Sequence, residues 1–301
     1  MTAFYYGLTV LIWGTTWIAI KAQLGTVALE VSIAYRFALA GVVLFLILRL
    51  TGRLQRIALR HQPFILLQAV CLFSCNFACF YLASRHMPSG LVSVVFSAAT
   101  IFNMINAFLV HGRRPVPRML VGAAIGVLGI TCLFWETLTA ATLSRDTVTG
   151  LLFALLGTWF FSVGNLVSAR NQSRGIAVAS ANAYGMLYGA ALVSAAAVLR
   201  GVPFTLDLSP VYLGALVYLA VPGSVIGFTT YLTVMNRLGP EKASYMTVLF
   251  PVVALTVSVL FEHYVATPLE VAGFAAVLLG NVVVFSRRTP ARDARTAASQ
   301  A

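Results

Sequence analysis

Of 301 residues, 60% are hydrophobic and 9% charged, and the net charge is +12. Soluble domains carry about 25% charged residues, so a bilayer is the solvent for most of this chain and no sizeable soluble domain fits between its apolar runs. The basic excess lies between those runs, where it reads as membrane topology and not as contact with nucleic acid.

The first apolar run has neither a basic segment nor a small-residue cleavage site ahead of it, and reads as a retained helix. About 20 apolar residues cross the hydrocarbon core, and runs of that size predict helices over 3–21, 29–49, 64–84, 88–111 and 117–136. Five more follow over 148–169, 176–200, 210–236, 240–264 and 268–286. On the first, Trp13, Trp17 and Lys21 share a face with Thr16 beside them. Two indoles leading to an ammonium suit stacking and charge contact with a substrate, although a lysine near a span end also snorkels to the interface. The third span adds the polar tips of Asn76 and Tyr81, and its Cys71, Cys75 and Cys79, like Cys132 further on, read as packing and not as a metal site.

On the fourth span Ser93, Ser97, Thr100 and Asn103 form one stripe, which either lines a pathway or bonds helix to helix. The pairs Gly122 with Gly126 and Gly185 with Gly189 suit close helix packing. The sixth span carries a mixed face of Thr158, Trp159, Phe161, Ser162 and Asn165. Pro222, Gly223 and Gly227 interrupt the eighth span and Pro251 the ninth, where lost helix bonds suit a hinge beside a cavity. Tyr231 ends this set with another hydroxyl.

Loops after the even-numbered spans hold the Arg49, Arg53, Arg56 and Arg60 cluster, Arg113 and Arg114, Arg170 and Arg174, Arg237 and Lys242, and the Arg287 and Arg288 tail. The opposite loops carry only Arg85, Arg145 and Arg200, so both termini are expected in the cytoplasm, which requires an even number of spans. A period of half the chain is also visible. Gly14-Thr15 recurs as Gly157-Thr158, Ala34-Tyr35 as Ala183-Tyr184, and Tyr81-Leu82 as Tyr231-Leu232. Ser93, Gly122 and Gly129 recur at one offset as Ser244, Gly273 and Gly280. The expected fold is therefore an all-α integral membrane protein of ten transmembrane helices. Residues 1–140 and 141–287 would form two inverted five-helix repeats, and 288–301 a cytoplasmic tail. Inverted repeats meeting at the midplane are a recurrent plan for transporters.

The motif Ile12-Trp13-Gly14-Thr15-Thr16-Trp17, the triplet Tyr35-Arg36-Phe37, and Leu249-Phe250-Pro251 with Glu262, Gly273 and Gly280 carry a family resemblance. The chain resembles the drug/metabolite transporter superfamily in its ten-helix form with paired EamA-type repeats. The resemblance implies a metabolite exporter, and an arginine at the place of Arg36 that serves a structural contact. The chain departs from a matched pair of halves where Thr100 and His111 stand opposite Pro251 and Glu262.

All eight acidic residues are expected at span ends, in loops or in the tail, so no proton-coupling carboxylate lies within a span. The expected function is export of small neutral or zwitterionic metabolites, amino acids with aromatic or hydrophobic side chains foremost, by alternating access. Nucleotide sugars or drugs are the alternative cargo. An intramembrane enzyme lacks a nucleophile–base pair or metal motif, since Glu262-His263 has no second histidine at helical spacing, and the duplication argues against a receptor. The expected pathway is Thr16, Trp17, Asn76, Tyr81, Ser93, Ser97, Thr100, Asn103, Trp159, Asn165, Tyr231 and Ser244, with Lys21 as a charge contact. No cofactor or metal is expected; the partners are a small-molecule substrate and the lipid of a bacterial inner membrane.

Overall fold

The structure is a computed structural model and describes residues 2–112, 116–135, 145–231, 234 and 246–285. Among the described residues every regular element is helical. In chain order these are α1 (Thr2–Ala22), α2 (Leu29–Leu50), α3 (Leu59–His86), α4 (in two pieces, Ser89–Phe96 and Ala99–His111) and α5 (Pro117–Leu133). They continue with α6 (Arg145–Ser173), α7 (Val178–Leu199), α8 (Pro210–Tyr231), α9 (Met246–Phe261) and α10 (Pro268–Phe285). The first four, α6, α7 and α8 are long and apolar enough to cross a membrane, while α5, α9 and α10 are shorter apolar helices.

Local chemistry sets the ends. Pro117, Pro210 and Pro268 occupy first turns, where a missing N–H costs nothing. Ser209 accepts from the Tyr212 N–H, and Thr267 with Glu270 forms a reciprocal capping box at the start of α10. Gly112 ends α4 at φ 65°, in the left-handed region, and its N–H closes on the Phe108 carbonyl.

The burial pattern is inside out relative to a soluble protein. Each of the helices exposes large apolar side chains, such as Leu11, Leu46, Leu128, Leu152 and Leu279, while Gln68, Asn76, Asn106, Asn171 and Asn182 are buried. Such a surface is solvated by lipid tails, and the interior amides then need one another. Gln68 donates to Asn182 and accepts from Asn171, tying α3 to α7 and α6.

Two pairings across the midpoint of the chain dominate, α2 against α7 and α5 against α10. Glycines set the second. A Cβ on Gly122 would sit 2.5 Å from the Gly280 carbonyl oxygen and one on Gly280 2.6 Å from that of Gly122. Gly129 and Gly273 repeat the arrangement at 2.6 and 2.7 Å. Backbone meets backbone there, and nothing larger than hydrogen fits. Gly126, expected to share this role, would meet only the Ile101 side chain at 3.6 Å, so its own contact is ordinary.

Both α3 and α8 widen into π-helical turns, at Val70–Cys75 and Leu219–Ile226. In each the serine hydroxyl donates to the carbonyl five residues back, Ser74 to Ala69 at 3.2 Å and Ser224 to Leu219 at 2.9 Å. Pro222 supplies a cause in α8, since it has no N–H for the α ladder. In α3 no proline stands at that place, and Phe73 in the bulge packs against Gly185 and Gly189 of α7 instead. π-bulges gather at functional sites.

Candidate functional site

A chamber lies between the two bulges. From α1 come Trp13, Thr16, Trp17 and Ile20, and from α2 Arg36. The turn after the first bulge adds Asn76, Phe77 and Phe80, and the second bulge adds Gly223 with Phe228 beyond it. Phe96 of α4, Phe161 of α6 and Phe250 of α9 complete the wall, so both halves of the chain contribute. Space open to the centres of water-sized molecules is about 60 Å³. One water needs about 10–15 Å³ by that measure, so the chamber holds a few waters and a larger guest requires its walls to move.

The walls are aromatic and mutually braced. Trp17 meets Phe80 edge-on at 5.1 Å, and Phe96 packs against Phe80 at 5.5 Å and Phe161 at 4.8 Å. On the other side Trp13 stacks on Tyr231 at 5.0 Å and meets Phe228 and Phe250 edge-on. The Trp13 indole N–H donates to the Gly223 carbonyl at 3.0 Å, satisfying a group on the bulge. A Cβ on Gly227 would strike the same indole. The Pro222, Gly223 and Gly227 interruption is thus the seat of Trp13, while Pro251 lies inside α9.

Of the residues expected to line a pathway, Thr16, Trp17 and Asn76 border this chamber. The Thr16 hydroxyl is turned to the Trp13 carbonyl at 2.7 Å, and the Asn76 amide donates to the Gly157 carbonyl at 2.8 Å. Tyr81 is buried behind the wall and donates to Gln23, and Tyr231 backs Trp13. The fourth-span stripe turns elsewhere. Thr100 donates to Asn281 of α10 at 2.8 Å, Ser97 bonds back to the Val94 carbonyl at the break in α4, and both border a small crevice against α5 and α10. Ser93 is buried off the chamber, and Asn103 and Asn165 are half-buried outside its lining. Trp159 is 40% exposed and packs on Phe160, on the lipid-facing side. Ser244 lies outside the described residues.

Lys21 does not border the chamber either. Its ammonium sits 2.8 Å from Glu262, whose side chain is only 9% exposed. The same carboxylate accepts from the Ser89 hydroxyl at 2.6 Å, the Ser89 N–H at 3.0 Å and the Ser258 hydroxyl. This joins the end of α1 and the end of α9 to the first turn of α4, where a carboxylate is favoured by the helix dipole. Burial alone would raise the Glu262 carboxyl, but the bonds from Lys21, Ser258 and Ser89 and the Lys21 charge outweigh it and hold it below its ordinary value of 4.5. Lys21 is therefore engaged by an ion pair at the end of α1. The aromatic wall of Phe77, Phe80, Phe96, Phe228 and Phe250 was not legible in the sequence, because phenylalanine in a span reads equally as lipid contact.

The description of the EamA-like transporter family matches residues 1–135 and 148–286. Several relatives are similar over nearly their whole length. They include the protein PagO of Salmonella typhimurium (22% identical, covering 93% of this chain and 94% of the relative) and a probable amino-acid metabolite efflux pump of Escherichia coli (22%, 91% of each). A probable terminal-alkyne amino-acid exporter of Streptantibioticus cattleyicolor is 26% identical, covering 95% of this chain and 93% of the relative. A solved crystal structure superposes with a TM-score of 0.68 at 18% identity, covering 94% of this chain and 95% of the other, and so shares the fold. With the family description matched across both segments of the chain, the protein belongs to the EamA-like transporter family, whose members are multi-pass membrane transporters and not enzymes.

Proposed function

We propose that the chain exports small amino-acid-like metabolites across a bacterial inner membrane through the aromatic chamber, using ten spans arranged as two inverted repeats with both termini in the cytoplasm. The observation that carries this is the chamber's position between matched π-bulges, one from each half, with walls drawn from both. Reciprocity of contacts supports the inverted repeat. The offset that relates Gly122 to Gly273 and Gly129 to Gly280 turns the Gly122–Gly280 contact into the Gly273–Gly129 contact, as a two-fold exchange of halves requires. Ser74 and Ser224, related by the offset of Tyr81 and Tyr231, make the same bond in the two bulges. Two such halves can rock about a fixed central site.

The cargo class rests on the walls and on the relatives. Indole and phenyl faces take an apolar side chain. Two relatives carry names that specify amino-acid efflux or export. Phosphorylated cargo wants several cations, and the described residues of the chamber offer one. Flux of labelled L-phenylalanine and L-leucine into and out of proteoliposomes tests the proposal. Flux above protein-free vesicles is expected; none for any amino acid or close analogue would overturn it.

A further inference from the structure

Among the described residues Arg36 carries the only charge bordering the chamber, and it is 2% exposed. Its Nη1 has no hydrogen-bond partner among the described residues, and its Nε reaches the Ser224 hydroxyl only at 3.4 Å. The guanidinium lies 4.3 Å from the centre of the Phe77 ring and 5.2 Å from that of Phe37. Each described carboxylate is placed elsewhere. Glu30 pairs with Arg200, Asp146 with His86 and Glu262 with Lys21, while Asp207 accepts from Thr26 and Glu270 caps α10. A guanidinium withdrawn from water is costly unless an anion meets it, and ring faces offset only part of that cost. The polar contacts around the guanidinium are neutral hydroxyls, those of Ser224 and Tyr81, and none of them balances its charge.

We infer that Arg36 is the anion-binding group of the chamber and that the cargo is recognised as a carboxylate on an apolar or aromatic body, its amino group being dispensable. The inference rests on the transport reading above and narrows it. Arginine's planar fork matches a carboxylate, and the unpartnered Nη1 is a buried donor on a side chain that borders the chamber. Trp17, Phe80 and Phe96 supply the apolar surface for the body. No described carboxylate borders the chamber to hold an ammonium, so an acid without the amine is recognised as well as the amino acid is.

The test is binding to the full-length protein in lipid nanodiscs, read by tryptophan fluorescence and by thermal shift. The probes are 3-phenylpropionate, L-phenylalanine, L-phenylalaninamide and sodium chloride. Saturable binding is expected for both carboxylates, with the amide and chloride about tenfold weaker or absent, the scale of a lost charge-assisted hydrogen bond. Arg36→Met should lose carboxylate binding by about tenfold or more while the unliganded protein melts no lower than wild type, because an unmatched buried charge has gone. A merely structural arginine would instead lower the melting temperature on substitution. The inference is overturned if neither carboxylate binds, if the amide or chloride binds as tightly, if Arg36→Met keeps carboxylate affinity, or if it melts well below wild type. Carboxylate binding that depends on Arg36, without flux in proteoliposomes, would uphold this inference and count against the transport reading.

Discussion

Thr100 shows how one hydroxyl can be read two ways from sequence and one way from structure. Its position on a polar stripe fits a pathway, but its proton goes to Asn281 on α10, a helix-to-helix bond. Thr100→Val should therefore lower stability by about 1 kcal/mol, the net worth of such a bond in a membrane, and leave the transport rate unchanged. Thermal melting and proteoliposome flux check the two halves of that statement. Trp159→Ala should likewise leave flux unchanged, since the indole faces lipid. Periodicity tells which residues share a helix face but not which neighbour that face meets, so Trp17 and Trp159 looked alike. Arg36 was visible as a deep charge, yet the missing hydrogen-bond partner of its Nη1, on which the binding proposal rests, has no signature in the sequence.

At the scale of helices, the glycines of α5 and α10 and the cluster at the end of α9 carry the firmest expectations. Gly122→Ala and Gly273→Ala each push a methyl against a carbonyl oxygen of the facing backbone, and should sharply reduce the yield of folded protein. Gly126→Ala, with Ile101 as its nearest neighbour at 3.6 Å, should be tolerated; equal yields for all three would contradict the packing described. For Glu262 the folded pKa lies below the ordinary 4.5, so its contribution to stability is present in full above 4.5 and is lost as pH falls through the lower folded value. The wild-type melting temperature should hold from neutral pH to about 5 and then fall. Glu262→Gln should melt lower at neutral pH and show a smaller acid drop, and parallel pH profiles would contradict this. Boundaries were largely legible because prolines, caps and charge mark them, α6 and the start of α3 being longer than the apolar runs. The π-bulge of α3 was not, since no proline announces it and it arises from tertiary packing of Phe73 against α7.

For the molecule as a whole, composition made the membrane class legible and the motifs with the duplication the family, whereas the chamber depends on how seven helices converge and has no signature in any one of them. The proposed topology, drawn from charge asymmetry, has position 61 in the cytoplasm and position 145 outside. In a background without Cys71, Cys75, Cys79 and Cys132, His61→Cys should be labelled from the cytoplasmic side and Arg145→Cys from the outer side. Labelling of position 145 from the cytoplasm alone would contradict the ten-span arrangement. The central claim is that cargo passes through the chamber between the halves, and flux of labelled L-phenylalanine in proteoliposomes of wild type, Trp17→Ala and Trp159→Ala tests it most directly. Loss of one aromatic partner costs about 1 kcal/mol, so Trp17→Ala should weaken transport several-fold while Trp159→Ala matches wild type. Equal flux in all three folded proteins, or loss with Trp159→Ala alone, would contradict the account.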